Sequence, residues 1–185
     1  CLVGSEMCIR DSLGVKPKFI VVKKIDGTGN WPVYHSSYGA TKYTYLNSMI
    51  EAKDYQYFWN DTEPTTSVFT IGNDSDVSTN GAEHVAYCFA PVEGFSAMGT
   101  YKGNGNADGP FVYTGFKVAF LLIKDTTNAN ETWNIMDTSR DINNVATNRL
   151  RPNDPGAEES ASARDKDLLS NGFKIRGSSG EQNNN

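Results

Sequence analysis

The stretch GVKPKFIVVK at positions 14–23 returns as GFKVAFLLIK at positions 115–124, an offset of 101 residues. Each copy ends in a continuous run of aliphatic, β-branched and aromatic residues, a composition typical of buried β-strands. Two further matches follow at offsets of 102 and 104 residues: WPVYHSS (31–37) with WNIMDTS (133–139), and VFTIG (68–72) with GFKIR (172–176). Offsets that drift by single residues are typical of loop insertions between repeats. The sequence therefore predicts two tandem units of about 100 residues each.

The local pattern predicts β-structure in both units. Short apolar runs are separated by Asn-Gly pairs at positions 80, 104 and 171 and by other glycine-rich turns, as in β-hairpins. The best helical candidate, residues 155–169, is acidic early and apolar only late, so we expect a loop with one helical turn there. We predict an all-β fold of tandem antiparallel β-sandwiches of the jelly-roll kind.

The two predicted units are residues 13–97 and 98–185, and we expect both to be incomplete. The second copy ends near the counterpart of Asn80, before an equivalent of the apolar run His84–Ala90. A turn-rich hairpin opens the second unit, and its counterpart in the first unit falls before Leu13. The first unit is therefore expected to lack its beginning, and the second its last strand.

The first twelve residues, CLVGSEMCIRDS, have the pattern of neither a strand nor a helix start, and they lack the apolar region of a signal peptide. From Ser5 to Ser12 they resemble the translation of a transposase adaptor used in sequencing libraries. We expect residues 1–12 to be an adaptor-derived artefact, not native sequence, with no ordered part in the fold. Without the cysteines of this segment no intramolecular disulfide can form, and Cys88 is interpreted as a small buried hydrophobe.

Charge and composition argue against several function classes. The chain has 17 Lys and Arg against 22 Asp and Glu, a net charge of −5, which does not suit the phosphates of nucleic acid. Its apolar runs are much shorter than a membrane span. The glycine-rich stretch 101–109 lacks the spacing and the following helix of a dinucleotide site. We expect no nucleic-acid partner, no membrane insertion and no cofactor.

The sequence predicts no enzyme and no metal site. A glycoside hydrolase needs two carboxylates facing one cleft, whereas the acids lie scattered in polar turns: Glu51, Asp54, Glu63, Glu83 and Glu93. Neither histidine, His35 or His84, has a partner at metal-ligand spacing, and no Gly-x-Ser-x-Gly motif is present. The run Asn73–Asp76 offers oxygens to Ca²⁺, but a capped turn is favoured there. Calcium binding is left open.

Aromatic residues are concentrated in the first unit, between positions 34 and 59. Burial accounts for most of them, and we assign Trp31 and Trp133, which match in the repeat, to the two cores. Three tyrosines have no aromatic counterpart in the second unit and lie among small polar residues and lysines. Because flat rings with one open face can stack on sugar rings, the candidate carbohydrate-binding residues are Tyr38, Tyr43 and Tyr55.

Six motifs together carry a family resemblance: WPVYHSS (31–37), FWNDTEPTTSVFT (58–70), VAYCFA (85–90), EGFS (93–96), GTYKGNG (99–105) and LSNGFK (169–174). With them, residues 14–185 resemble a repeated domain of unknown function from tail and tail-fibre-like proteins of marine bacteriophages. The resemblance implies a concanavalin A-like jelly-roll sandwich in a virion appendage, made in the host cytoplasm. It supplies no catalytic residues.

Two functions of different classes follow from these expectations. The favoured one is a non-catalytic structural and adhesive module of a phage tail or tail fibre, which binds host surface glycans and associates with itself or with other tail proteins. The alternative is part of a virion-associated glycan depolymerase. Two acids converging in one cleft would indicate the depolymerase, and shallow aromatic and polar loops would indicate the adhesive module.

Overall fold

The computed structural model describes residues 2–3, 6–10 and 13–184. The chain forms two compact units, Cys1–Pro91 and Val92–Asn185, whereas the sequence placed the boundary between residues 97 and 98. Antiparallel strands make up most of the regular structure of each unit, which confirms the all-β prediction. No helix in the described part of the chain is long and apolar enough to cross a membrane.

In its described residues, the first unit contains two antiparallel sheets and one helical turn. Its elements are β1 (Leu2–Val3), β2 (Glu6–Arg10), β3 (Phe19–Lys24), β4 (Pro32–His35), β5 (Lys42–Tyr45), β6 (Lys53–Asp54), α1 (Gln56–Trp59), β7 (Val68–Ile71) and β8 (His84–Phe89). The larger sheet has the strand order β6-β5-β4-β3-β8, and the smaller has the order β1-β2-β7.

The continuous apolar run in β3 lies inside the larger sheet. Ile20 and Val22 point into a core that includes four aromatic side chains, and Val21 is buried on the opposite face of the same strand. A strand covered on both faces reads as an unbroken apolar run, which explains the sequence of the first repeat motif. The core residues of this unit are Ile20, Val22, Tyr34, Ala40, Phe58, Trp59, Phe69, Ile71 and Val77.

The second unit is also built from short antiparallel strands. Its elements are β9 (Phe111–Tyr113), β10 (Phe120–Ile123), β11 (Asn134–Asp137), β12 (Asn148–Arg149), β13 (Glu159–Ser160), a 3-10 turn (Ser162–Arg164), β14 (Lys166–Leu169), β15 (Gly172–Ile175) and α2 (Gly180–Asn183). The pairs β10-β11 and β12-β13 are joined by a bridge between Ile135 and Leu150, and a second sheet has the order β14-β15-β9. The helical turn expected between residues 155 and 169 is the 3-10 turn.

Matching residues of the two units make matching hydrogen bonds. The backbone N–H of Trp31 donates to Asn47 Oδ1 over 2.9 Å, and that of Trp133 donates to Asn153 Oδ1 over 3.0 Å. Trp133 is buried, as expected. Trp31 is only half-buried and lies outside the core cluster, with the Lys23 ammonium 5.7 Å from its ring, so its assignment to the core is wrong.

The strand β2 occupies the place in the first unit that β9 occupies in the second. Ile9 lies opposite Phe69 in the pairing of β2 with β7, and Val112 lies opposite Phe173 in the pairing of β9 with β15. The expectation that residues 1–12 have no ordered part is therefore wrong for β2, although their adaptor origin stays a prediction. Strand pairing uses backbone groups that almost every residue carries, so an open edge accepts a segment of unrelated sequence.

The core of the second unit combines apolar and polar side chains. Its apolar part consists of Val118, Ile123, Met136, Ala146, Leu168, Phe173 and Ile175. The buried polar residues include Asn134, Arg149, Lys166, Gln182 and Asn183. The second unit thus has charged and amide groups where the first unit has aromatic side chains. Burial of such groups is costly unless they form hydrogen bonds and ion pairs with one another.

A loop formed by residues 101–109, here called the clasp loop, holds the α2 turn. Tyr101 donates its hydroxyl to the Gln182 carbonyl over 2.6 Å, and the Asn104 N–H donates to Asn183 Oδ1 over 2.8 Å. The approach is close enough to require glycine, because a Cβ on Gly103 would lie 2.2 Å from the Asn184 carbonyl oxygen. The glycine-rich stretch therefore serves to pack two backbone segments together.

Candidate functional site

An array of aromatic rings connects the core of the first unit with its surface. Phe58 is at its centre, with ring centroids 4.5 Å from Tyr43 and 5.1 Å from Tyr55. Tyr55 and Tyr57, whose centroids are 5.2 Å apart, form the outer end and are 38% and 44% exposed. The packed inner rings support the exposed pair from behind, so the outer rings are held in a defined orientation.

Local backbone conformation explains why these two tyrosines point outwards. Tyr55 is extended at the start of α1, and the single helical turn then buries Phe58 and Trp59. Asn60 ends the turn in the left-handed region with φ of 49°, a conformation that Asn tolerates better than most residues. One turn of helix thus separates an inward pair of rings from an outward pair.

Gly72 fixes the position of Tyr57 through the backbone. The Gly72 N–H donates to the Phe58 carbonyl over 2.8 Å, and the Asp74 N–H donates to the Tyr57 carbonyl over 3.1 Å. A Cβ at position 72 would lie 2.2 Å from the Tyr57 carbonyl oxygen, so only glycine allows this approach. The loop after β7 therefore holds α1 in place against the sheet.

The outer tyrosines line a depression of about 320 Å³, here called the tyrosine depression. Its walls are formed by exposed side chains of several chemical types, namely Thr41, Asp54, Tyr55, Gln56, Tyr57 and Asp61. Two rings provide apolar faces, while the hydroxyl, amide and carboxylate groups provide hydrogen-bond donors and acceptors. This combination suits a small polar ligand with apolar faces of its own.

Tyr55 is held at its hydroxyl as well as at its ring. The hydroxyl donates to Asp74 Oδ2 over 3.1 Å. Desolvation, together with this hydrogen bond and the charge of Asp74, raises the pKa of Tyr55 above its ordinary value. The side chain therefore remains a neutral phenol at physiological pH and presents an uncharged face to the depression.

The three predicted carbohydrate-binding residues lie in different surroundings. Tyr55 lines the tyrosine depression, and Tyr43 packs behind it, with ring centroids 5.7 Å apart. Tyr38 is not among the lining residues, because its hydroxyl donates to the Val33 carbonyl and its ring lies 5.9 Å from that of His35. The structure thus joins Tyr43 with Tyr55 and leaves Tyr38 elsewhere. Carbohydrate binding by all three stays a prediction.

Sequence reasoning missed Tyr57 and the polar lining residues. The run DYQYFWND at positions 54–61 carries the signal, since four aromatic residues stand between two aspartates. The two carboxylates of this run, Asp54 and Asp61, line the same depression, although the acids of the chain were expected to be scattered. Both side chains are exposed, so each carboxylate is in contact with water.

A second cluster of chemically active groups lies in the interior of the second unit. The Arg149 guanidinium pairs with Glu159 over 2.8 Å and with Glu181, and Arg164 pairs with Glu181 over 2.5 Å. Lys166 donates to the Arg164 carbonyl over 3.0 Å and to Gln182 Oε1. These groups are engaged with one another, which is the arrangement of a structural ion network. Within the described residues, no group of three or more His, Cys, Asp or Glu side chains could hold a metal ion.

Comparison with known proteins gives one match. A family model with the description "Domain of unknown function (DUF7483)" matches residues 3–185. No curated protein and no solved structure matches the chain significantly. This match extends over both units.

Proposed function

The chain belongs to the DUF7483 family, and from its site we propose that it is a non-catalytic adhesive module that binds a host surface glycan in the tyrosine depression. In this proposal, the two units are concanavalin A-like jelly-roll modules of a phage tail or tail fibre. They act in the virion, after synthesis in the host cytoplasm, and associate with themselves or with other tail proteins. The observation that supports glycan binding is the exposed pair Tyr55 and Tyr57 beside four polar side chains.

The chemistry of the lining suits a sugar ring. The C–H groups of a pyranose pack against the face of an aromatic ring, while its hydroxyls need hydrogen-bond partners around the edge. The Tyr55 and Tyr57 rings meet at 71°, so one ring offers its face to a sugar that touches the edge of the other. Asp54, Gln56 and Asp61 supply the polar contacts.

The volume and the ordered rings indicate a small binding site that is formed before the ligand arrives. A volume of about 320 Å³ is at the lower end of the ~300–1,000 Å³ typical of small-molecule pockets, which suits one or two sugar units. The rings are already ordered by Phe58, Asp74 and Gly72, so binding costs little conformational entropy. Several copies in one tail would raise the overall avidity without any new contact.

Charge favours neutral or amino sugars over acidic ones. Asp54 and Asp61 line the depression, Asp74 lies behind Tyr55, and the whole chain has a net charge of −5. A uronic or sialic acid would bring another negative charge close to these carboxylates and would be repelled. A sugar that carries only hydroxyls, or an amine, avoids this repulsion.

Titration of a panel of neutral, amino and acidic oligosaccharides against the full chain tests the proposal. Tyr55→Ala and Tyr57→Ala should each weaken binding of the preferred sugar by about tenfold, as for the loss of a central aromatic contact. Tyr113→Ala, which truncates an exposed tyrosine of the second unit, is the matched control and should leave binding unchanged. Equal binding by the wild-type chain and the three variants would place the glycan site elsewhere. If the wild-type chain binds no sugar of the panel, the adhesive role is refuted.

The alternative, a glycan depolymerase, has one observation in its favour. Asp54 and Asp61 both line the tyrosine depression, and glycoside hydrolysis uses two carboxyl groups that face one bond. A general acid, however, needs surroundings that keep its carboxyl group protonated, whereas both of these side chains are exposed. Release of new reducing ends by the wild-type chain, abolished by Asp54→Asn or Asp61→Asn, would establish the enzyme. Binding without release of product supports the adhesive module.

A further inference from the structure

The first unit shows how a strand of the β8 type completes the larger sheet. There β3 lies between β4 and β8, and it pairs with β8 over six residues, from Phe19 opposite Phe89 to Lys24 opposite His84. The Ile25 N–H donates to the Glu83 carbonyl over 2.9 Å. Because hydrogen-bonded pairs alternate in antiparallel sheets, the amides of Val85 and Tyr87 then point towards β3.

The second unit has the counterpart of β3 with one edge open. This counterpart is β10, which pairs with β11 and with no other strand of the residues that the structure describes. The Thr138 N–H donates to the Ala119 carbonyl over 3.0 Å. By the same alternation, the N–H and C=O groups of Phe120 and Leu122 point away from β11, towards the open edge.

Side chains on both faces of β10 are more exposed than their counterparts in β3. On the outer face, the Phe19 ring lies 5.8 Å from the Phe89 ring and is half-buried, whereas Phe120 is 60% exposed. On the core face, Ile20 lies opposite Cys88 and is fully buried, whereas Leu121 is only partly buried. The backbone and both faces of β10 therefore match a strand of the β8 type.

We propose that the open edge of β10 is a docking site for the β8-type strand of another repeat of this family. The strand runs antiparallel to β10 and continues the order β13-β12-β11-β10 by one member, as β8 does in the first unit. The pattern of β8 fits this edge. Cys88 packs against the core, and the exposed Ala86 alternates with Tyr87 and Phe89, which lie on the other face of the strand. Backbone bonds provide the affinity, and the alternation of small and aromatic side chains provides the selectivity.

A fluorescent peptide with the sequence of residues 82–91, titrated against the full chain, tests the docking. We expect saturable binding that is at least tenfold tighter than that of a scrambled peptide. In the register of β8 on β3, the amides of Tyr87 and Phe89 face Leu122 and Phe120. N-methylation of the peptide at Tyr87 and Phe89 should therefore weaken binding by about tenfold or more, because two backbone hydrogen bonds are lost. N-methylation at His84 and Ala86, whose amides point away from the pairing partner, is the matched control and should have little effect.

Substitutions in the chain locate the peptide. Phe120→Ala should weaken binding severalfold through loss of the contact between the two Phe rings. Phe95→Ala truncates a phenylalanine that is 79% exposed in the same unit, and it should leave binding unchanged. Equal binding of the scrambled peptide, equal effects of the two methylation patterns, or no effect of Phe120→Ala would overturn the proposal. A different occupant of the edge would also overturn the proposal. If the chain dimerises, Phe120→Ala abolishes the dimer and the peptide does not dissociate it, a second whole copy of the chain occupies the edge.

Discussion

Arg149 of β12 and Glu181 of α2 form an ion pair inside the second unit, where the Arg149 side chain is only 1% exposed. Burial opposes the charge on Glu181, but hydrogen bonds from Arg164 and Arg149 and their positive charges outweigh it and lower the pKa of that carboxyl. Glu181 therefore remains ionised and links a strand of the sheet to the α2 turn.

Glu181→Gln should destabilise the second unit by about 3 kcal/mol, because the substitution leaves the buried Arg149 with one carboxylate fewer. Urea unfolding followed by far-UV circular dichroism measures the effect. Asp154→Asn serves as the control, since it removes one of the two carboxylate partners of Arg151, in a more exposed pair, and should cost less than about 1 kcal/mol. Equal losses in the two variants would show that the buried pair contributes no more than a surface pair.

Lys166 makes the stability of the second unit depend on pH. Burial, helped by the charge of Arg149, lowers the pKa of Lys166 to about 7, whereas an unfolded lysine titrates near ~10.4. Between these values the unfolded chain binds more protons than the folded one, so the free energy of unfolding rises with pH, by at most ~1.4 kcal/mol per pH unit. Below pH 7 both states are protonated and this contribution is constant. The other charged groups that act on Lys166 are Asp165, Glu181 and Arg164.

Urea unfolding of wild type and Lys166→Met at half-unit steps from pH 6 to about 9.5 measures this dependence. The variant should lack the rise above pH 7, because methionine cannot titrate. Its side chain is unbranched like that of lysine and only one heavy atom shorter. Parallel curves for the two proteins would mean that Lys166 keeps an ordinary pKa in the folded state.

Gly72→Ala should weaken both the fold of the first unit and the site that it supports. The new Cβ would lie 2.2 Å from the Tyr57 carbonyl oxygen, and relief of this contact must move α1. We expect a loss of ~1–3 kcal/mol in stability together with weaker glycan binding. Gly99→Ala is the control, since no heavy atom lies within 4 Å of its Cβ. If the melting temperature and the glycan affinity of Gly72→Ala equal those of the wild type, the loop after β7 shifts to make room for the Cβ without moving Tyr57.

The preference for neutral sugars that we propose should depend on the carboxylates of the tyrosine depression, Asp54 and Asp61. Asp54→Asn and Asp61→Asn together should narrow the difference in affinity between a neutral oligosaccharide and its uronic acid analogue. Added salt should narrow it in the wild-type chain as well, because exposed charges are screened. Isothermal titration at low and high salt checks both effects. If neither the substitutions nor added salt alters the preference for the neutral oligosaccharide, the preference has a steric origin.

Much of the fold could be predicted from sequence because β-strands leave a direct pattern. The apolar runs at Phe19 and Phe120 mark the strands β3 and β10 in each unit, and their spacing marks the repeat. The tandem jelly-roll arrangement itself stays a prediction. Pairing of β2 with β7 could not be foreseen, since it depends on the backbone of an open edge and not on the side chains of Glu6–Arg10.

The candidate site was predictable only in part. Tyr55 was singled out for its polar neighbours, but whether Tyr57 faces outwards is decided by the single turn of α1 and by Asn60 at positive φ. Burial of Arg149 and Lys166 has no pattern in the sequence, because charged residues are ordinarily assigned to the surface. Their burial depends on partners far along the chain, in the α2 turn.

The clasp loop affects the order in which parts of the chain can fold during synthesis. Its contacts with the α2 turn join residues that are 81, 79 and 77 positions apart in the chain. At ~5–20 residues per second of translation, the loop leaves the ribosome roughly 4–16 seconds before its partners do. The described strands of the first unit, by contrast, have all been made once β8 has emerged. Folding during synthesis is therefore directional, because the contacts of the clasp loop can form only after the α2 turn has been made.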